Sequence, residues 1–227
     1  MKKGVENLSV AATGMEAIPV KHKMYGELAG WWPLLSPPDE YRDEAEFFAN
    51  LLGKASLPGK PTFLELGSGG GSNAFHLKSH FSSVTLTDIS PEMLPVSRSL
   101  NPDCEHIVGD MRSLRLGRRF DVVFVYDAID YMTTLEDLRR ALVTVSLHCK
   151  NGGLAILVPD YVKETFKPAT DHGGSDSEDG TRALRYLEWT FDPDTLDSTY
   201  TTDYVYLLRE GEAETRPEYD RHVCGLY

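Results

Sequence analysis

The spacing of apolar residues along the chain changes near residue 61. Over 41–52 they recur at helical spacing, which predicts a helix that ends at Gly53. From residue 61 onward, short apolar runs alternate with helical stretches, and the runs span residues 63–66, 84–88, 104–108, 120–126 and 154–158. Strands that alternate with helices predict an α/β, Rossmann-like, doubly wound parallel sheet covered on both faces. Ligands of such sheets bind beyond the carboxyl ends of the strands.

A second change follows residue 160. Residues 169–182 are polar and glycine-rich and are predicted to form a loop, whereas 184–191, 199–208 and 218–227 alternate like strands. We expect these strands to form an antiparallel β insertion after the fifth strand. The chain is therefore divided into an N-terminal arm and aromatic segment (1–35), a Rossmann-like core (36–160), and a loop with an antiparallel meander (161–227).

Composition and charge limit the environment and the partners. The longest apolar runs have five residues, whereas a transmembrane helix needs about 20. No apolar stretch follows the first lysines, as a signal peptide would require, and the three cysteines form no CxxC pair. Residues 160–227 hold 16 acidic and 7 basic residues, and the whole chain has a net charge of −12. These features predict a cytoplasmic protein that binds neither membrane nor nucleic acid.

The candidate chemistry begins at a glycine-rich turn after the first strand. Gly67 and Gly69 lack side chains, so the backbone can approach a ligand, and the following helix offers free N–H groups. Asp88 ends the second strand, nineteen residues after Gly69, where it can accept hydrogen bonds from ribose hydroxyls. Alone, this arrangement fits NAD and other nucleosides, although the spacing GxGxxS differs from the dinucleotide GxGxxG pattern.

Further motifs give the glycine turn a more specific context. The segments, in order, are LELGSGGG (64–71), LTDISPEML (86–94), GDM (109–111), FDVVFVYDAIDYM (120–132) and KNGGLAI (150–156). With this set the chain resembles the class I S-adenosylmethionine-dependent methyltransferases. The resemblance covers about residues 60–160 and implies the doubly wound sheet of that class, with S-adenosyl-L-methionine as cofactor and S-adenosyl-L-homocysteine as product.

The resemblance also implies roles for individual residues. Glu65 matches the acid that helps hold the methionine ammonium, and Asp88 matches the acid that binds the ribose. Asp127 matches a position on the cofactor side after the fourth strand. The other implied cofactor-binding residues are Gly67, Ser68 and Gly69 in the loop, and Ile89, Met93, Asp110 and Met111 around the adenine.

Residues 160–227 are similar, more weakly, to small-molecule methyltransferases with a β insertion, among them nucleotide-aminosugar N-methyltransferases. The segment GDMRSLRLGRRFD (109–121) shares this likeness. Such proteins usually continue past the GLY segment with a helix and a closing hairpin. We therefore expect the chain to be short at its C-terminus, and an incomplete sheet edge would favour a homodimer.

Methyl transfer from a sulfonium is an in-line displacement, so the protein must orient the acceptor and exclude water. A base is needed only for a hydroxyl or a protonated amine, and the candidates are Asp130, His172 and His222. Candidate contacts to a small-molecule N or O acceptor are Tyr25, Trp31, Tyr131 and Tyr161. No metal is predicted, because His76 and His80 share a helix face without an evident third ligand.

Two other functions stay open at this point. Ser72 follows a strand and a glycine turn, as the nucleophile of a serine hydrolase does, although Ala74 stands where that motif has its second glycine. A non-catalytic protein that holds the cofactor or a partner is the other alternative. The identity of the acceptor cannot be read from these residues.

Overall fold

The computed structural model describes residues 22–55, 57 and 59–227. A parallel sheet is built from strands β1 (Thr62–Leu66), β2 (Ser83–Asp88), β3 (Glu105–Val108), β4 (Phe120–Tyr126) and β5 (Cys149–Val158). Their order across the sheet is β3-β2-β1-β4-β5. The order reverses beside β1, so this sheet is doubly wound and its ligand crevice is expected at the carboxyl ends of β1 and β4. The predicted α/β fold is confirmed.

Helices cover both faces of this sheet because its strands are apolar on both sides. The α-helices among the described residues are α1 (Trp32–Leu35), α2 (Arg42–Lys54), α3 (Ser72–Leu77), α4 (Met93–Leu100) and α5 (Leu135–His148). Phe124 of β4 packs with Phe48 of α2 on one face, whereas Val123 packs with Val145 of α5 on the other. Each such buried side chain contributes about 1.5–3 kcal/mol. The strands thereby gain a rigid frame from which the loops at their carboxyl ends project.

Capping explains where two of the helices begin. Thr134 precedes α5, and its hydroxyl accepts the backbone N–H of Asp137 at 3.1 Å. The Ser90 hydroxyl similarly accepts the N–H of Met93, the first residue of α4, at 3.0 Å. No helix in the described part of the chain has the length and apolar character needed to cross a membrane.

The remaining strands form an antiparallel sheet in the order β6-β7-β8-β9. They are β6 (Ala169–Gly173), β7 (Arg182–Phe191), β8 (Thr199–Glu210) and β9 (Arg216–Gly225). The inner face of this sheet, with Leu184 and Tyr206, packs on Met24 and Leu28. Residues 22–35 of the predicted N-terminal arm are therefore part of a core, while 1–21 lie outside the described residues.

The prediction of a loop over 169–182 is wrong in its first part. Residues 169–173 form β6, because their backbone pairs in register with the longer strand β7. His172 lies opposite Leu187 in this pairing, and both side chains are exposed. Polar, glycine-rich composition obscured this strand, since an edge strand needs few buried side chains.

We expect Gly67→Ala to destabilise the protein by more than about 2 kcal/mol. Gly67 has φ 73°, and a methyl group at this position would stand 2.3 Å from Cβ of Ala128. Gly53→Ala is the matched control: Gly53 lies in α2 with nothing within 4 Å of the added methyl group. That change should raise the stability by up to about 1 kcal/mol, since alanine favours helix. Urea unfolding measures the free energy of unfolding of both variants. Equal effects would contradict the requirement for glycine at position 67.

Candidate functional site

The glycine turn is tied to the end of β2 by the carboxylate of Asp88. That carboxylate accepts the backbone N–H of Gly69 at 2.8 Å and the backbone N–H of Ser90 at 2.8 Å. Gly67 and Gly69 have φ of 73° and 51°, a region that glycine adopts without strain. The two loops are thereby held at one edge of the sheet, beside the crevice where the strand order reverses.

Glu65, at the base of this crevice, is a buried carboxyl group with a free oxygen. The residue is 2% exposed, and its Oε2 has no hydrogen-bond partner, like the buried hydroxyl of Ser68. Burial, together with the nearby charge of Asp88, raises the pKa of Glu65 to about 8. Buried polar atoms are normally satisfied, so these two atoms are suited to bind the cationic and polar groups of a ligand.

The adenine-side residues lie around the same turn. The side chain of Met93 lies 3.9 Å from a methyl group placed on Gly69, and that of Met111 lies 3.0 Å from one placed on Gly67. Ile89 is half-buried beside them in sequence and Met93 is fully buried. These side chains give one wall of the crevice an apolar character that suits a flat base.

Asp110 departs from the sequence expectation in one respect. Its carboxylate is already bound by Arg112, whose Nε lies 3.0 Å and 2.9 Å from the two carboxylate oxygens. Although burial acts in the opposite direction, the Arg112 side chain and backbone N–H hold the pKa of Asp110 below its usual range. This acid is therefore ionised, and only its remaining lone pairs can accept further hydrogen bonds.

Three carboxyl groups meet beyond β4 and β5. Asp130 Oδ2 accepts the backbone N–H of Asp160 at 3.0 Å and the hydroxyl of Tyr200 at 3.0 Å. Burial and the adjacent charge of Asp160 raise the pKa of Asp130 to about 7. Burial and the charges of Asp160 and Asp130 also raise the pKa of Asp127. Since these acids resist ionising together, the cluster favours a ligand that carries positive charge.

Asp127 also has an unusual backbone. Its φ is 35°, which makes it the non-glycine residue with positive φ among those the structure describes. Its N–H donates to the carbonyl of Val158 at 2.8 Å, which holds the turn against the end of β5. Such strained positions cluster at functional sites, where the surrounding contacts enforce them.

Tyrosines and a histidine form a second cluster, which begins at the residue after Asp130. Tyr131 donates its hydroxyl hydrogen bond to Tyr25 at 2.9 Å, and its oxygen lies 2.7 Å from Nδ1 of His222. Tyr25 packs on Trp32 with ring centroids 5.5 Å apart, and the Trp32 indole contacts the position of Gly70. The structure therefore brings Tyr25, Tyr131 and His222 together next to the glycine turn.

Other candidates lie in different surroundings. His172 stands on the outward face of β6, not in a loop over the crevice. Trp31 packs into the core beneath the antiparallel sheet, with the Arg182 guanidinium 3.9 Å from its ring centroid. Tyr161 packs on Tyr200 with ring centroids 5.3 Å apart, so it lies near the Asp130 cluster. Trp31 and Trp32 have different surroundings because neighbouring residues of a helical segment point to different sides.

Sequence reasoning missed two residues of the site, Asp220 and His22, and the hydrogen bond from Tyr200 to Asp130. Asp220 and His222 are two apart on β9, so strand alternation was the available signal that they share a face. His22 had no comparable signal, because it precedes any regular element. Ser72 is buried in the first turn of α3, a poor position for a hydrolase nucleophile.

Comparison with known proteins bears on this site. Residues 63–153 match the family described as "Methyltransferase domain". The chain is 31% identical over 128 residues to the dTDP-3-amino-3,4,6-trideoxy-alpha-D-glucopyranose N,N-dimethyltransferase of Streptomyces venezuelae, covering 56% of this chain and 54% of that protein. It is 30% identical over 163 residues to the dTDP-3-amino-3,6-dideoxy-alpha-D-glucopyranose N,N-dimethyltransferase of Streptomyces fradiae, covering 70% of this chain and 64% of that protein. The chain thus spans between half and two thirds of these relatives.

Two solved structures share the fold over most of this chain. DesVI of Streptomyces venezuelae matches with a TM-score of 0.77 at 22% identity, covering 88% of this chain and 84% of that one. The sugar N-methyltransferase KedS8 of Streptoalloteichus also has a TM-score of 0.77, at 20% identity, covering 98% and 85%. At these identities the likeness establishes the fold, including the antiparallel sheet after the fifth strand.

Proposed function

We propose that this chain is a class I S-adenosylmethionine-dependent methyltransferase that methylates an amine of a small molecule. The family match over residues 63–153 and the shared fold support this proposal. The observation that carries the choice of an amine is the cluster of Asp127, Asp130 and Asp160, whose carboxyl groups resist ionising together. A protonated amine supplies the positive charge that this cluster lacks. The relatives that act on dTDP-aminosugars support the same class of acceptor.

The residues around the glycine turn fit the cofactor. Glu65 Oε2 and the Ser68 hydroxyl are buried without partners, and they are suited to hold the ammonium and carboxylate of the methionine part. Asp88 has lone pairs left for ribose hydroxyls, and Ile89, Met93 and Met111 offer apolar contacts to adenine. When bound, S-adenosylmethionine supplies an electrophilic methyl group on a positively charged sulfur. The acidic crevice complements that charge.

The acceptor amine must be neutral before it attacks. We assign the base to Asp130, because burial raises the pKa of this carboxyl group to about 7, close to neutral pH. Asp130 is held in place by the hydroxyl of Tyr200 and the N–H of Asp160. The neighbouring cluster of Tyr25, Tyr131 and His222 is assigned to orienting the acceptor and excluding water.

The other expectations from sequence belong to this proposal. The acceptor is a small molecule and not a nucleic acid, since the chain carries a net charge of −12. A cytoplasmic location and a homodimer also remain proposed, as does the role of His222 in catalysis.

A methyl-transfer assay tests the function. We expect S-adenosylmethionine and a panel of nucleotide-linked aminosugars to give N-methylated product, detected by mass spectrometry. The matched control is the same sugar with a hydroxyl in place of the amine, which we expect to remain unmethylated. If the protein binds S-adenosylhomocysteine but methylates no amine in the panel, it is a non-catalytic binding protein and the proposal fails.

A further inference from the structure

Next to Tyr25 and Tyr131, two histidines and an aspartate converge from distant parts of the chain. They are His22, before the first helix, and Asp220 and His222, on the same face of β9. One potential ligand atom from each lies within 4.8 Å of the others. Asp220 and His222 are 6% and 4% exposed, so water does not solvate this group freely.

Two nitrogen atoms in this cluster are buried without a hydrogen-bond partner. They are Nδ1 of His22 and Nε2 of His222, and both face Asp220, at 3.9 Å and 3.3 Å from its carboxylate oxygens. Unpartnered buried atoms are uncommon in proteins. Each of these two is a potential metal ligand close to a carboxylate.

The neighbouring hydrogen bonds orient His222. Tyr131 donates its proton to Tyr25, so its oxygen is free to accept the proton on Nδ1 of His222, 2.7 Å away. In the neutral imidazole this leaves a lone pair on Nε2, 3.3 Å from the negative carboxylate of Asp220. A cation between the lone pair and the carboxylate removes this conflict.

We propose that His22, Asp220 and His222 bind a divalent first-row transition metal ion, with Zn²⁺ as the probe. Two imidazole nitrogens and one carboxylate oxygen are a ligand set that Zn²⁺ accepts at about 2.0–2.2 Å. A metal-bound histidine usually donates a hydrogen bond from its other ring nitrogen. In His222 this nitrogen is Nδ1, and the acceptor is the Tyr131 hydroxyl oxygen. The proposal goes beyond methyl transfer and does not depend on it.

Metal binding would join the segment that begins at His22 to the antiparallel sheet. His22 stands at the start of the segment that places Tyr25 and Trp32 beside the glycine turn. Asp220 and His222 belong to the antiparallel sheet. An ion between them would hold the segment against the sheet and raise the thermal stability, because the unfolded chain lacks the site.

Titration of tag-free, chelator-treated protein with Zn²⁺ and with Co²⁺ tests this proposal. We expect one ion per chain, visible absorption bands of bound Co²⁺, and a raised melting temperature. His22→Gln and Asp220→Asn should each weaken binding by more than about 100-fold, since loss of a mere hydrogen-bonding partner of a ligand costs about 10–100-fold. Tyr131→Phe should therefore have the smaller effect.

The control variant is His80→Ala, which removes an exposed histidine outside the cluster and should leave binding unchanged. His22→Gln keeps the test valid if Asp220→Asn fails to fold, because His22 lies outside the helices and strands. The proposal is overturned if the wild-type protein binds less than one equivalent, or if both cluster variants bind as well as His80→Ala. Binding of S-adenosylhomocysteine by the metal-free protein separates that failure from a failure of the methyltransferase proposal.

Discussion

Asp88→Ala is expected to weaken the binding of S-adenosylhomocysteine by at least about 100-fold. The carboxylate of Asp88 holds the backbone N–H groups of Gly69 and Ser90, and its remaining lone pairs are proposed to bind the ribose. A hydrogen bond to a charged group contributes about 1.5–3 kcal/mol. Loss of two such bonds releases the glycine turn as well as the ligand, and each 1.4 kcal/mol corresponds to about tenfold in affinity.

Titration calorimetry measures this change, with circular dichroism to establish that the variant is folded. Asp43→Ala is the matched control, because Asp43 is an exposed acid in α2 and its loss should leave the dissociation constant unchanged. A folded Asp88→Ala protein that binds with wild-type affinity would exclude this crevice as the cofactor site.

Asp130→Asn is expected to lower kcat by about 10²–10⁴-fold, the contribution typical of a positioned base. The amide oxygen of asparagine can still accept from Tyr200 and from the N–H of Asp160, so the site keeps its shape while the base is lost. The affinity for S-adenosylhomocysteine should change little. Asp43→Asn serves as the control for the charge that is removed.

The pH profile distinguishes a base from a structural acid. Since Asp130 must be ionised to accept a proton and its pKa is raised to about 7, kcat/KM of the wild-type protein should fall as pH drops below about 7. Asp130→Asn should lose this limb. Tyr200→Phe should move it to higher pH, because the Tyr200 hydroxyl lowers the pKa of Asp130. An Asp130→Asn profile that keeps the wild-type limb would assign the base to another group.

Local patterns predicted the glycine turn and the acid beside it, on the proposed cofactor side of the crevice. Gly67 and Gly69 have the positive φ that their glycine-rich turn requires, and Asp88 holds that turn at the end of β2. These features depend on consecutive residues of a strand, a turn and a helix, and the next parallel strand places its own end at the same edge. The bond from Arg112 to Asp110 was not predicted, because alternative side-chain pairings are equally compatible with the sequence.

Sequence patterns alone predicted the strands and helices of the parallel sheet, the glycine turn and the acids at the strand ends. Apolar periodicity and turn residues are local properties, and parallel strands collect their carboxyl ends at one edge without further information. Tertiary packing alone set the surroundings of Tyr131 and His222, on the proposed acceptor side. Tyr131 and His222 stand 91 residues apart, and Asp220 meets His22 only because the antiparallel sheet packs on the N-terminal segment. Such contacts depend on strand register and packing, because a register shift of one residue moves every side chain of a strand to the other face of the sheet. His172 is an example: its place on the exposed face of β6 follows from the pairing of β6 with β7.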